Sequence, residues 1–325
     1  MTTLNFNQPY LLSKGYRLRP RYQPDWTPSW KGTNIKPSKC EDSIDSLPIR
    51  VLDATRIETG EQVMLKFVVP SEGNEGLEEV ALLEHFSTPP LRDHPSNHVV
   101  RCLDSFPVPG TESGRFVSMP LLTDYEEIPF YNIAEVHDML QQLFDGLLFM
   151  HENNIAHRDI ASANVMMDAR SLYDEPFHPY HQSHSPDMKR LWFRDPDVPR
   201  LVVGVNARES TPEQANGDPY DPFLADVYQL GAVLRRDLIP KFEFLESLLP
   251  LAEEMTLDNP TERPSLAAAR TSMNTAFLGI PGWKYRWPIV PEYADFSQRW
   301  GYFWAGLAAE VKFWLNRILR VFLKQ

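Results

Sequence analysis

One eight-residue segment constrains this chain more than any other: residues 157–164 read His-Arg-Asp-Ile-Ala-Ser-Ala-Asn. Apolar residues recur at spacings of three and four through residues 136–150, which predicts a helix before the segment. The short apolar run at residues 165–167 predicts a strand after it. The segment is therefore a loop between two regular elements, with the Asp159 carboxylate held on it and the Asn164 amide oxygen free to face a metal ion.

Composition narrows the class of protein. The chain has 325 residues, 42% of them hydrophobic, which is enough for a sizeable buried core. Its formal net charge of −12 argues against a general nucleic-acid binder, because phosphate backbones reward surplus Lys and Arg. The two cysteines, Cys40 and Cys102, form no disulfide or metal pattern, and the first twelve residues lack a secretory signal. We therefore expect an intracellular, cytoplasmic protein that binds no nucleic acid.

The spacing of apolar residues along the chain changes near residue 123. Residues 49–122 contain mostly β-type runs, with a hairpin turn at residues 58–61 and one short helix at residues 76–86. Helical spacing dominates afterwards, so the pattern predicts an α+β fold with a small antiparallel sheet part and a larger helical part. The predicted division is an N-terminal extension packed on the domain (1–48), the sheet part (49–122), the helical part (123–280) with an insertion at about 168–200, and a tail (281–325).

Two further residues fit phosphoryl-transfer chemistry, which needs a lysine on the nucleotide phosphates and an acid to aim it. Lys66 lies in an apolar strand, where a lone ammonium group would be costly. Glu79 lies on the following helix and could pair with it. With Asp159 near an incoming hydroxyl and Asn164 on a metal, the order of these groups along the chain suits ATP-dependent transfer.

Together with the loop, these residues and the run Asp226-Val-Tyr-Gln-Leu-Gly resemble a eukaryotic protein kinase. The resemblance covers about residues 49–276 and implies a two-lobed kinase-like fold that uses ATP and Mg²⁺ to phosphorylate a protein hydroxyl. It also implies the following roles: His157, Arg158 and Asp159 in catalysis; Lys66, Glu79, Met119, Leu121 and Leu122 in ATP binding, with Met119 as gatekeeper and Pro120 to Leu122 as hinge; Asn164 on the metal; and Asp226 and Arg263 as structural residues.

Two departures from the kinase pattern weaken the expected catalysis. Residues 33–56 contain no glycine, so a glycine-rich loop over the phosphates is missing. Gly204 directly follows the apolar run at residues 201–203, where a kinase carries the metal-binding aspartate. Asp195 or Asp197 would supply that carboxylate only if the metal-bearing strand lay earlier, and residues 200–203 have the better β propensity.

The features that would bind a peptide substrate are reduced as well. Only 22 residues separate Gly204 from Asp226, which leaves little surface for a peptide, and Ala161 stands where Ser/Thr kinases usually carry lysine. Two hypotheses stay open: an ATP-binding protein kinase with weakened activity, and a pseudokinase that acts as a binding or scaffolding module. No motif supports an oxidoreductase or a hydrolase.

The two ends of the chain carry further signals. The run at residues 15–22 and the Phe-His-Pro at residues 177–179 are similar to kinase-like proteins of mushroom-forming fungi. Residues 300–325 place Trp, Leu, Val and Ile at helical spacing with Lys and Arg off that stripe, which predicts an amphipathic helix. Such a helix packs on the helical part, enters a partner groove, or makes a peripheral membrane contact.

Overall fold

The computed structural model describes residues 8–44, 51–69, 77–125, 127–173, 175–182, 184–190, 201–203, 210–215, 219–291 and 294–322. The chain divides into two units. The first unit comprises Met1–Glu127 and Met166–Val198, and the second comprises Ile128–Val165 and Pro199–Gln325.

The first unit is built on a five-stranded antiparallel sheet. In chain order its strands are β1 (Tyr16–Leu18), β2 (Val51–Arg56), β3 (Gln62–Val68), β4 (Asp104–Pro107) and β5 (Arg115–Pro120). Their order across the sheet is β1-β2-β3-β5-β4. The β2–β3 hairpin turns at Gly60, whose φ of 73° lies in the left-handed region that glycine adopts without strain. A short pair, β6 (Thr123–Asp124) with β7 (Met166–Asp168), follows the sheet.

The two faces of this sheet differ because side chains alternate along each strand. One face, the core face, carries Leu52, Ala54, Val63, Leu65 and Phe116 and packs against Leu11 of helix α1 (Gln8–Ser13). We call the other face the lysine face. Register places the following residues on it: Asp53 opposite Met64, Val51 opposite Lys66, and Met119 opposite Met64. Helix α2 (Leu77–Phe86) packs on its β3–β5 end, where Val80 joins Val68 and Val117.

The second unit is mainly helical. Its α-helices are α3 (Ile133–Glu152), α4 (Pro212–Ala215), α5 (Pro222–Val233), α6 (Leu249–Met255), α7 (Leu266–Leu278), α8 (Gly282–Arg286) and α9 (Phe296–Phe322), and it also contains strand β8 (Leu201–Val203). The Asn132 side chain caps α3 by accepting from the Glu135 N–H, and Asp221 caps α5 by accepting from the Phe223 N–H. Nearly all residues of α5 are buried, so this helix lies in the core of the second unit.

A sheet lobe with one packed helix and a helical lobe together form the two-lobed kinase-like α+β fold that the sequence predicts. The division of the chain nevertheless differs from the predicted one in two places. Residues 8–44 are part of the first unit, because Tyr16–Leu18 is its edge strand and Leu11 and Tyr22 lie in its core. The described part of the insertion at 168–200 belongs to the same unit instead of the helical part.

Candidate active site

The lysine face holds the first group of predicted site residues. The Lys66 ammonium contacts the Glu79 carboxylate, and both side chains are partly exposed. Lys66 extends from the third strand and Glu79 from the first turn of α2, so the pair joins strand and helix as the sequence predicts. Its role toward nucleotide stays a prediction.

The predicted hinge follows β5. Met119, at the end of that strand, packs beside the cluster of Val68, Val80 and Val117. Leu121 is fully buried and Leu122 is nearly so. The Leu122 carbonyl accepts a hydrogen bond of 3.3 Å from the Gln182 Nε2. A backbone group of the hinge is therefore already bonded to the protein's own insertion.

Residues 175–182, which we call the cover segment, lie over the β2–β3 end of the lysine face. Gln62 on β3 donates from Nε2 to the Phe177 carbonyl at 2.8 Å. The Tyr180 hydroxyl lies close enough to Asp53 on β2 for the two groups to interact electrostatically. The side chains of Phe177, His178 and Gln182 are at most 5% exposed. The cover segment is therefore packed against the protein and does not lie loosely on its surface.

Arg19, directly after β1, completes this cluster. Its guanidinium binds Asp53 at 2.9 Å and Glu41 at 2.6 Å, and it lies 5.1 Å from the centroid of the Tyr180 ring. Burial raises the pKa of Asp53 in spite of Arg19. For Glu41, burial alone would raise the pKa, but the nearby His178 ring and the hydrogen-bonded Arg19 guanidinium outweigh it and lower the pKa.

His178 links the cover segment to the N-terminal segment. Its Nδ1 accepts from the backbone N–H groups of Tyr180 and His181, which leaves Nε2 to carry the proton of the neutral ring. That Nε2 lies 3.4 Å from the Glu41 carboxylate. The ring is fully buried. Sequence reasoning assigned no role to Arg19, Glu41 or Asp53, because nothing in the local pattern shows that three distant segments meet.

The loop of residues 157–164 belongs to the second unit and is held from α5. The Asp226 carboxylate is fully buried and accepts hydrogen bonds from the backbone N–H groups of His157 at 2.7 Å and Arg158 at 2.6 Å. The His151 Nε2 lies 2.8 Å from the same carboxylate. Arg158 has a φ of 67°, a left-handed conformation that costs energy for a side chain other than glycine. Asp226 fixes this strained turn.

Gln229 is a second anchor, which the sequence analysis missed. Its side chain, one turn after Asp226, accepts from the Ile160 N–H at 3.0 Å and donates to the Arg158 carbonyl at 3.3 Å. Asp159 therefore stands between two residues whose backbones are fixed. The i, i+3 spacing of Asp226 and Gln229 on a buried helix is the signal that could have indicated it.

Burial lowers the pKa of His157, although Asp226 and Asp159 act to raise it. Its ring therefore favours the neutral form at neutral pH. Arg158 is exposed, and Asp159 is half-buried. The predicted structural residue Arg263 is buried and donates to Glu213 through Nη1 at 2.7 Å and Nη2 at 2.8 Å, and to the Leu224 carbonyl at 3.0 Å.

Asn164 is the predicted magnesium ligand, and this role stays a prediction. Asn164 ends a 3₁₀ turn and has a buried Nδ2 without a hydrogen-bond partner, so its amide could turn toward a ligand. Among the described residues, however, no group of three or more His, Cys, Asp or Glu side chains is arranged to hold a metal ion. Gly204, Asp195 and Asp197, which bear on the missing carboxylate, lie outside the described residues. Among the described residues, Asn164 and Asp159 would offer Mg²⁺ one amide and one carboxylate, and phosphate oxygens and water would have to complete its coordination.

Comparison with curated proteins shows the relationship. The chain is 31% identical over 209 residues to human Cyclin-dependent kinase 20, a match that covers 57% of this chain and 58% of that protein. It is 25% identical over 239 residues to mouse Mitogen-activated protein kinase 15, covering 63% of this chain and 41% of that protein. The chain contains a protein kinase-like domain.

The kinase-like chain spans less than two thirds of the length of these relatives. A zebrafish (Danio rerio) Cyclin-dependent kinase 20 matches similarly, at 29% identity over 213 residues. No protein-family model matches the chain. These animal relatives do not test the similarity of residues 15–22 and 177–179 to fungal proteins, which stays a prediction.

Proposed function

We propose that this protein is a pseudokinase: a kinase-like domain that acts as an intracellular binding or scaffolding module and binds ATP weakly. The observation that carries the proposal is the cover segment on the lysine face. In a kinase that face and the hinge receive the nucleotide. Here Asp53, Gln62 and the Leu122 carbonyl already have partners within the chain.

The connection between β1 and β2 supports the same conclusion. A kinase closes over the phosphates with a short glycine-rich turn between its first two strands. In this chain residues 19–50 separate the two strands, and the described part forms 3₁₀ turns around the Asp42 carboxylate. Asp42 accepts from the Ser29 N–H and hydroxyl and from the Trp26 indole N–H. The backbone N–H of Ser29 in this connection is therefore already bonded to a side chain of the protein.

A second function, slow ATP-dependent phosphorylation of a protein hydroxyl, is favoured by different observations. The contact of Lys66 with Glu79 is formed, and Asp226 and Gln229 hold the backbone around Asp159. In this reading Lys66 orients the phosphates, Asp159 accepts the hydroxyl proton, and Asn164 holds the remaining Mg²⁺.

Nucleotide binding by the full chain, titrated calorimetrically with and without Mg²⁺, separates the two functions. We expect a Kd for ATP on the order of 1 mM that Mg²⁺ hardly changes. Gln182→Ala frees the hinge carbonyl and should tighten ATP binding about fivefold, because a larger fraction of molecules is then competent to bind. Gln142→Ala is the matched control, since the Gln142 side chain bonds Asp138 within α3.

Phosphoryl transfer is measured with the same preparations. Steady ATP turnover by the unmodified chain that Asp159→Asn abolishes would show an active kinase and overturn the pseudokinase proposal. Gly204→Asp adds the carboxylate that the kinase pattern expects. If that change introduces Mg²⁺-dependent ATP binding, the fold is competent and the lost carboxylate accounts for the weak site.

A further inference from the structure

The long helix α9 is attached to the second unit by a narrow face. Gly306 lies so close to Trp287 that a Cβ atom on it would be 2.4 Å from the indole ring. Glu310 accepts two hydrogen bonds from the Arg286 guanidinium, at 2.8 and 3.0 Å. Phe313, one turn later, packs under the same guanidinium at 3.7 Å. The close approach at Gly306, the ion pair of Glu310 and the ring of Phe313 thus hold α9 against α8 and Trp287.

The side of α9 next to this contact is apolar and open, and Phe303 at its edge also packs against Trp287, with ring centroids 5.9 Å apart. Of the twenty large hydrophobic side chains that are exposed among the described residues, eleven lie on this helix. They are Phe296, Trp300, Phe303, Trp304, Leu307, Val311, Trp314, Leu315, Ile318, Leu319 and Phe322. The exposed fraction of these side chains runs from 40% to 77%. A contiguous stripe of this size on a protein surface marks a place of interaction.

The width of the apolar stripe indicates which kind of partner surface it fits, another helix or a flat apolar surface. From Trp300 to Ile318 the residues at alternating spacings of four and three would fit the seam of a two-stranded coiled coil. Coiled coils place charged residues that pair between helices at the positions beside that seam. Here four of these six positions are uncharged (Gly301, Phe303, Ala308 and Leu315), and of the other two, Glu310 and Arg317, Glu310 is already paired with Arg286. A stripe of this width, with aromatic residues at its edges, fits a flat apolar surface better than it fits the narrow seam between two helices.

Charge points to the chemistry of that surface. Within α9 four residues are basic (Arg299, Lys312, Arg317 and Arg320) and one is acidic (Glu310), in a chain whose formal net charge is −12. At about 100° per residue, Arg299 and Arg317 border one edge of the stripe and Lys312 borders the other. Cations on both margins of a tryptophan-rich apolar stripe match a surface that is apolar within and anionic at its border.

We propose that α9 lies flat in the interfacial layer of an anionic lipid membrane, with its apolar stripe among the acyl chains and its marginal cations at the headgroups. Among the described residues no helix is long and apolar enough to cross a bilayer. In this proposal the helix anchors the kinase-like domain to a lipid surface by its side. This inference is independent of whether the domain binds ATP.

Flotation of the full chain with lipid vesicles tests the proposal. The protein should bind vesicles of phosphatidylcholine with 30% phosphatidylserine and bind pure phosphatidylcholine at least tenfold more weakly. Val311→Glu, at the centre of the stripe, should lower the partition coefficient by about tenfold or more. Asn316→Glu is the matched control, because it adds the same charge on the exposed opposite side of the same helix.

Two further measurements test separately how much charge contributes to vesicle binding and how deeply α9 lies in the membrane. Arg317→Gln should weaken binding to the anionic vesicles about fivefold, and raised salt should act in the same direction. Brominated lipids should quench tryptophan fluorescence of the unmodified chain and quench it less in Val311→Glu. Equal losses for Val311→Glu and Asn316→Glu would overturn the proposal, since charge alone would then explain binding.

The competing occupant, a second copy of the chain, is measured by analytical ultracentrifugation without lipid. We expect a monomer. A dimer that Val311→Glu dissociates, together with no vesicle binding at millimolar lipid, would overturn the membrane proposal and assign the stripe to self-association. These outcomes differ from failure of the pseudokinase proposal, which depends on ATP binding and turnover alone.

Discussion

Two of the aspartates that are buried among the described residues, one from each unit, have contrasting surroundings. Asp53 on β2 faces the Arg19 guanidinium and the Tyr180 hydroxyl, which come from distant parts of the chain. Asp226 on α5 faces two backbone N–H groups of the neighbouring loop and the His151 ring. The first carboxylate joins segments by compensating charge, whereas the second shapes a loop by holding its main chain.

This difference has a physical consequence. A buried ion pair can be replaced by apolar residues at little cost when both partners leave together. Backbone N–H groups cannot be removed, so loss of their acceptor always leaves them unsatisfied. The catalytic-loop side of the molecule should therefore tolerate less change than the cover side.

The largest effect is expected for Asp226→Asn. The amide offers one acceptor oxygen to three donors and turns an NH₂ group toward a backbone N–H, so the free energy of unfolding should fall by about 3 kcal/mol. Urea denaturation measures the change. Asp221→Asn makes the same substitution at the N-cap of the same helix, where asparagine caps as well, and should change stability by less than about 0.5 kcal/mol. Similar losses for both variants would contradict the role given to Asp226.

Arg19→Leu should cost about 2–3 kcal/mol, because it leaves the carboxylates of Asp53 and Glu41 without their cation. The double change Arg19→Leu/Asp53→Val should recover at least about half of that loss, since valine suits a buried strand position. The two denaturation curves, with Asp53→Val alone, complete a double-mutant cycle. Purely additive losses would show that Asp53 and Arg19 do not act as a pair.

Gln229→Ala should cost about 1–2 kcal/mol by removing the bonds to the Ile160 N–H and the Arg158 carbonyl. Gln229→Glu keeps the acceptor but places a buried carboxylate against the Arg158 carbonyl, one turn from Asp226, and should therefore cost more than Gln229→Ala. Hydrogen exchange gives a local measure: the Ile160 amide should exchange faster in the alanine variant than in the glutamate variant. Unchanged exchange in both would remove Gln229 from the set of loop anchors.

The smallest effect concerns pH. Because burial lowers the pKa of His157, the unfolded chain takes up its proton near pH 6.5 while the folded chain resists it. Stability should be fully present above that pH and should decrease as pH falls below it. His157→Gln should flatten this part of the curve of unfolding free energy against pH. A curve as steep as that of the unmodified chain would show that other groups cause it.

Much of the fold is accessible from sequence because its elements are local. The β2–β3 hairpin, helix α2, helix α3 and the amphipathic helix α9 each show their period within one stretch of chain. The contact between Lys66 and Glu79 is also foreseeable, since only 13 residues separate them. What these residues do with a nucleotide stays a prediction.

The remainder depends on contacts that no local pattern carries. β1 has three residues, too few for a period, and owes its strand structure to pairing with residues 54–56. The cover segment has no regular structure and is placed by hydrogen bonds to Gln62 and to the Leu122 carbonyl. Such polar networks are tertiary, so a reading of residues 168–200 by composition gives only a surface insertion.

The cover segment also has a consequence for the order in which the first unit is made. The contact between Arg19 and Asp53 spans 34 residues, whereas that between Gln62 and Phe177 spans 115. A ribosome delivers the five strands and α2 well before it delivers residues 175–182, and domains fold as their residues emerge. The nascent sheet therefore passes through a stage in which its lysine face is open to solvent, and this face is closed by one of the last parts of the unit to be synthesised.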